Sequence, residues 1–186
     1  MMFTDAQQRA LVEIARSAVR QAIAGIRPAA RRPEDLERLP AASGAFVTLK
    51  HDGQLRGCIG TLHCRGPLPE EIARVAVSAA REDPRFDALR PAELDGLDVE
   101  VSVLGPLEEI DPRDLAAFVI GLHGLVVEHG DRRGLLLPQV ATEWGWDRER
   151  FLSQTCVKAG LPPDGWQHGA KVYRFAADVF GDRHDL

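Results

Sequence analysis

Between Thr4 and Gly25 the apolar residues Leu11, Ile14, Ala18 and Ala22 recur every three or four positions. That period predicts an amphipathic helix with these side chains inward. Thr4 and Gln7 have the spacing of a capping box, and Gly25 suits a C-terminal stop. Residues 26–42, rich in Pro, Arg and Glu, predict a loop with room for one helical turn. The pattern then changes period. The stretch VTLKHDGQLRGCIGTL, Val47 to Leu62, predicts strands over Ala45–Lys50 and Gln54–Leu62 joined by a tight turn at Asp52-Gly53. Pro67 to Glu82 returns to helical spacing, with Ile72, Val75, Ala76 and Ala79 on one face, and DPRF (Asp83–Phe86) breaks it. Leu97 to Leu104 alternates strictly, with Val99, Val101 and Val103 opposite Asp98, Glu100 and Ser102, which predicts a half-buried strand.

Farther on, Asp111–Gly121 predicts a short helix with an Asp cap and Pro at its first position. Two strands flank Asp131–Arg133, and Gln139–Trp144 predicts a helical turn after Pro138. Asp147–Ala159 predicts a helix stopped by Gly160, with Phe151, Leu152, Thr155, Cys156 and Ala159 inward. AKVYRFAADVF, Ala170–Phe180, predicts a final strand. Helices and mostly antiparallel strands interleave without a regular βαβ alternation, so the fold class predicted is α+β.

Composition narrows the function classes. The 186 residues, 45% hydrophobic and 27% charged, suit one domain, or one compact body with a smaller lobe. A net charge of −5 gives no basic footprint for nucleic acid. No apolar run approaches the roughly 18 residues of a membrane helix. The first residues mix charges into their apolar positions and do not read as a secretory signal. Three cysteines, Cys58, Cys64 and Cys156, read as free thiols in a reducing cytoplasm. No nucleotide-binding glycine motif is present, so no cofactor is predicted.

Candidate chemistry centres on the second strand of the hairpin. Strand alternation puts Arg56 and Cys58 on one face, and an unbulged two-residue loop would set Arg56 across from Leu49 and Cys58 across from Val47. A cation beside a thiol favours the nucleophilic thiolate. Gly57 and Gly60 would leave backbone N–H groups open to a substrate oxyanion or carboxylate. The competing reading makes Cys58 a small buried hydrophobe and the glycines room for a crossing helix. His123 is either a general base or a cap for the preceding carbonyls. Gln139 and Glu143, at i and i+4, share a helical face; they are a solvated pair, or else orient a histidine or read a polar substrate. His51, Cys58, His63 and Cys64 cluster in sequence but lack the paired spacing of a zinc site, so no metal is predicted.

Taken together, FVTLKHDGQLRGCIGTL, DPRF, LDVEVSVLGPLEEI, GLHGLVV, GLLLPQVATEWGWDRERFLSQTCVKAGL and VYRFAADVF resemble the AMME chromosomal-region protein family. Its prokaryotic members are called protein A of the AmmeMemoRadiSam system, and LRGCIG is its signature hexapeptide. The resemblance covers about Ala45 to Phe180. It implies a larger antiparallel-sheet lobe wrapped by helices, a smaller second lobe, and a cleft between them near the hexapeptide. It also implies functional association with a Memo-like protein and a radical S-adenosylmethionine protein, but no settled reaction. Leu55–Gly60 match the signature, Asp83, Arg85 and Phe86 match its D-x-R-F element, and His123, Gly124, Pro138 and Glu143 match later blocks. His63 and Cys64 fall outside the pattern.

Two functions follow as expectations. One is an enzyme with Cys58 as nucleophile, activated by Arg56 and His123, with Glu143 orienting the histidine. It would carry out acyl or related group transfer, or hydrolysis, on a small polar molecule. The other is a non-catalytic module in which Arg56 and Arg85 recognise a carboxylate or phosphate of a ligand or partner.

Overall fold

The computed structural model describes residues 3–25, 36 and 38–182. Most of the loop expected over 26–42 lies outside them. The fold is α+β, every recorded strand pairing is antiparallel, and the chain divides into two compact units. One unit comprises Met1–Leu104 with Asp178–Leu186; the other is Gly105–Ala177.

In the first unit, helix α1 spans Asp5–Ala24. Thr4 Oγ1 accepts the Gln7 N–H while Gln7 Oε1 accepts the Thr4 N–H, so the predicted capping box is closed. Its buried face is Leu11, Val12, Ala15 and Val19, rotated from the expected Leu11, Ile14, Ala18 and Ala22. Ile14 only packs against the edge of the core.

Strands β1 (Gly44–His51) and β2 (Gln54–Thr61) form the expected hairpin. Asp52 and Gly53 both take positive φ, 51° and 78°, as a two-residue hairpin turn requires. Helix α2 covers Leu68–Arg81 and buries Ile72, Val75, Ala76 and Ala79 as predicted, together with Leu68, Glu71 and Ala80. Strand β3, Leu97–Leu104, pairs with the other side of β1, giving the order β2-β1-β3. One face of this sheet, from Val47 and Leu49 to Val99 and Val101, is at most 1% exposed and forms the core with α1 and α2.

The second unit has its own core around Phe118, Leu125, Phe151 and Leu152. Strand β4 (Glu108–Ile110) was not predicted; it is three residues long, too short for a period to register. Asp111–Gly121 does not form the predicted helix. Only a 3₁₀ turn at Leu115–Ala117 appears. Asp111 Oδ1 accepts the Arg113 N–H and Asp114 Oδ1 accepts the Ala116 N–H. Two such local bonds in succession compete with helix formation.

Strands β5 (His123–His129) and β6 (Arg132–Leu136) and helices α3 (Pro138–Glu143) and α4 (Arg148–Lys158) follow prediction. All five inward residues expected for the α4 segment are buried. Strand β7, Lys171–Gly181, pairs through its earlier residues with β4 and β5, and its end from Asp178 belongs to the first unit. No helix among the described residues is long and apolar enough to cross a membrane.

Candidate functional site

The register of the hairpin decides where Arg56 and Cys58 go. A bulge falls between Leu49 and Lys50: Lys50 faces Leu55, Leu49 faces Gly57, and Arg56 is the extra residue. Cys58 therefore lies across from Thr48, not Val47, and Arg56 has no partner on β1. Thr48 and Cys58 project close together, and the Thr48 hydroxyl donates to Cys58 Sγ at 3.2 Å.

Arg56 does not sit free beside the thiol. Its Nε donates to Glu93 Oε1 at 2.7 Å, and its Nη1 and Nη2 donate to the carbonyls of Asp87 and Ala88. The Arg56 guanidinium, helped by the Arg90 N–H, holds the Glu93 carboxyl down at about 2. Arg56 thus fastens the segment after α2 to β2.

The glycines serve the same packing. A Cβ on Gly57 would come within 2.1 Å of the Ala79 carbonyl oxygen, so β2 meets the backbone of α2 directly there. A Cβ on Gly60 would strike the Phe46 ring at 2.2 Å; the ring occupies the space a side chain would need. The reading of Gly57 as room for a crossing helix matches this contact.

Strand β2 is an edge, and its outward backbone groups need partners. The DPRF segment supplies them at Cys58. The Cys58 N–H donates to Asp83 Oδ2 at 2.8 Å, and Arg85 Nη2 donates to the Cys58 carbonyl at 3.3 Å. Arg85 also grips Asp83 through Nε at 3.0 Å and Nη2 at 2.7 Å. Asp83 is only 1% exposed in its side chain. The Arg85 guanidinium, followed by the N–H groups of Cys58 and Arg85, holds its carboxyl far below the usual carboxylate range despite burial. The hydrogen-bonded Asp83 carboxylate favours the protonated guanidinium of Arg85, with a smaller contribution from Cys58, so Arg85 is a cation within electrostatic reach of Cys58.

The three cysteines differ in setting. Cys156 is fully buried in the second core and Cys64 packs against the first; burial pushes both thiols up. Cys58 lies outside both core clusters and keeps intermediate exposure.

His123, Gln139 and Glu143 belong to the second unit. The His123 N–H donates to the Val119 carbonyl at 2.9 Å, and Nδ1 accepts the Val119 N–H at 3.0 Å. With Nδ1 an acceptor, the neutral ring carries its proton on Nε2 and is a donor there. Burial, then the Arg174 guanidinium, pushes the His123 pKa down against a smaller pull from Glu108. The ring thus caps a backbone amide, not the carbonyls expected, and only the His123 backbone N–H reaches a carbonyl. The ring's partner is a backbone amide rather than a carboxylate, and no hydrogen bond joins it to Glu143 among the described residues. Gln139 and Glu143 lie on α3, Glu143 exposed at its end. No group of three or more His, Cys, Asp or Glu side chains suited to a metal ion occurs among the described residues.

A family model described as AMMECR1 matches residues 12–180. The chain belongs to the AMMECR1 family. Among its relatives, a protein of Methanothermobacter thermautotrophicus is 49% identical over 178 residues, covering 92% of each chain. A Thermococcus gammatolerans protein is 46% identical over 190 residues, covering 94% of this chain and 89% of the other. The crystal structure of an uncharacterized protein from Pyrococcus horikoshii superposes with a TM-score of 0.85 at 41% identity, covering 98% of this chain and 95% of that one.

In this AMMECR1-family chain the sequence patterns missed Thr48, Glu93, Lys50 and Glu100 as neighbours of the hexapeptide. Lys50 Nζ lies 3.3 Å from Glu100 Oε2 on the face that carries Cys58. Strict alternation on β1 and β3 already put Thr48 with Lys50, and Glu100 with Ser102. The absent signal was the bulge, which moves Cys58 onto their face.

Proposed function

We propose that this chain is a cysteine-dependent enzyme in which Cys58 attacks a small polar substrate, in acyl or related group transfer or in hydrolysis. The observation that carries the proposal is the Thr48 hydroxyl 3.2 Å from the sulfur of partly exposed Cys58, with Arg85 held by Asp83 against the Cys58 carbonyl. In such a reaction Sγ bonds to the acyl carbon and the leaving group departs with the thiol's proton. Water then releases the acyl group and restores the thiol. Thr48 orients the sulfur and offers a donor to charge centred on it, and Arg85 adds a fixed positive field. Arg56 and Arg85 each already hold a carboxylate of this chain, which weighs against the alternative in which they read a ligand's anion.

The resemblance extends the proposal. With LRGCIG at Leu55–Gly60, the chain would serve as protein A of the AmmeMemoRadiSam system, in the cytoplasm, alongside a Memo-like and a radical S-adenosylmethionine protein. Alkylation tests the nucleophile. Iodoacetamide near neutral pH should modify Cys58 about tenfold faster than Cys64 or Cys156 in the folded protein, read by mass mapping. Equal, slow labelling of all three would remove the proposal.

A further inference from the structure

The sheet face that carries Cys58 is mixed, with Thr48, Lys50, Asp98 and Glu100 beside Phe46 and Leu55, in contrast to the sealed core face behind it. Strand register arranges it in transverse rows. Cys58, Thr48 and Glu100 form one row; Leu55, Lys50 and Asp98 form the next. Glu100 thus lies on the far side of Thr48 from Cys58, and Lys50 reaches diagonally from the next row to Glu100 at 3.3 Å. The two charged side chains are 40% and 22% exposed, open enough for a dissolved anion to compete for the ammonium.

We infer that Lys50 anchors the carboxylate of a small carboxylate-bearing substrate, with the reacting carbon over Cys58 Sγ, and that Glu100 occupies the ammonium when no substrate is bound. The inference rests on Cys58 being the nucleophile. Three features argue for it. The ammonium already donates to a carboxylate in this geometry, that of Glu100. Lys50 and Cys58 are diagonal neighbours on adjacent strands, positions roughly 7–8 Å apart on a sheet, so the long lysine side chain, once released from Glu100, can hold a small molecule within reach of the sulfur. A partly exposed ion pair of this kind contributes modestly to stability, so one carboxylate can exchange for another at small cost.

The test uses two alkylating reagents with the same reacting carbon, iodoacetate and iodoacetamide. In each, Sγ bonds to the methylene carbon, iodide leaves and the thiol proton passes to solvent. The readout is the ratio of their rates at Cys58, measured in the full chain and compared with the same ratio in the urea-unfolded chain. The folded protein should favour iodoacetate by about fivefold over the unfolded ratio. Lys50→Met should bring the ratio down to the unfolded one, and Glu100→Gln, which removes the competing Glu100 carboxylate from the ammonium, should raise it. Taking both rates in one variant separates charge selection from loss of fold, which labelling of buried Cys156 reports. A ratio unchanged in both variants, with Cys58 still the fastest thiol, overturns the inference and leaves the nucleophile standing. Cys58 labelling no faster than Cys64 and Cys156 with either reagent removes the nucleophile and this inference with it.

Discussion

Asp83 is almost wholly withdrawn from water, yet it is ionised and accepts from the Cys58 and Arg85 amides and from the Arg85 guanidinium. A buried carboxylate survives only when it is satisfied in this way. Asp83→Ala should therefore lower stability by about 3 kcal/mol in urea unfolding, because it strands a buried N–H and uncouples Arg85. The same residue sets an acid dependence. The fold lowers the carboxyls of both Asp83 and Glu93, so near pH 4, at about the ordinary carboxylate values, the unfolded chain binds more protons than the folded one. Stability then rises with pH through that range. The contribution is complete above it and lost as pH falls toward the folded-state values, about 2 for Glu93 and lower for Asp83. In Asp83→Asn the acid slope should flatten; a slope equal to that of the parent would show that Asp83 does not carry it.

Between elements, contact geometry dominates. Gly57 lets β2 lie against the Ala79 carbonyl of α2, and Gly57→Ala must push strand and helix apart at a 2.1 Å clash with backbone. A loss of about 3 kcal/mol is expected. Gly66→Ala is the control: its Cβ would meet only Glu70 Oε2, at 3.8 Å, and should change stability by no more than about 0.5 kcal/mol. Comparable denaturation midpoints for the two variants would contradict this account. The same elements mark how far the sequence could be read. The hairpin, the α1 cap and α4 were legible because their signals are local: Asp52-Gly53, Thr4 with Gln7, and Asp147 with Gly160. Two features depended on competition that period cannot express. The helix expected at Asp111–Gly121 gave way to two side-chain turns, and the bulge at Arg56 moved every later β2 side chain to the opposite face. The candidate site inherited that second gap. Cys58 and Arg85 could be named from sequence, while Thr48, Lys50 and Glu100 become its neighbours only through a register set by one extra residue.

At the scale of the whole chain, the first unit is built from both ends of the sequence, and the second is inserted between β3 and the end of β7. The returning end is fastened by polar contacts as well as by Phe180 in the core. Asp178 Oδ2 accepts the Phe3 N–H at 3.0 Å, and Phe3 and Phe180 rings meet at 6.0 Å. Asp182 Oδ2 accepts the Val99 N–H at 2.7 Å and pairs with Arg16, whose Nη1 also donates to the Leu97 carbonyl. One carboxylate thus ties the chain's end to β3 and to α1. Asp182→Ala leaves the Val99 amide and Arg16 without it, and should cost about 2 kcal/mol, seen as a lower urea midpoint at unchanged slope. Asp182→Asn keeps a neutral acceptor for Val99 but not the ion pair, so it should recover part of the loss. Glu109→Ala provides the contrast, since its pairing with Lys171 at 3.9 Å is more than half exposed on both sides and should be worth less than about 0.5 kcal/mol. If Asp182→Ala behaves like Glu109→Ala, the returning segment is held by Phe180 packing and its other polar contacts, and the Asp182 carboxylate is incidental.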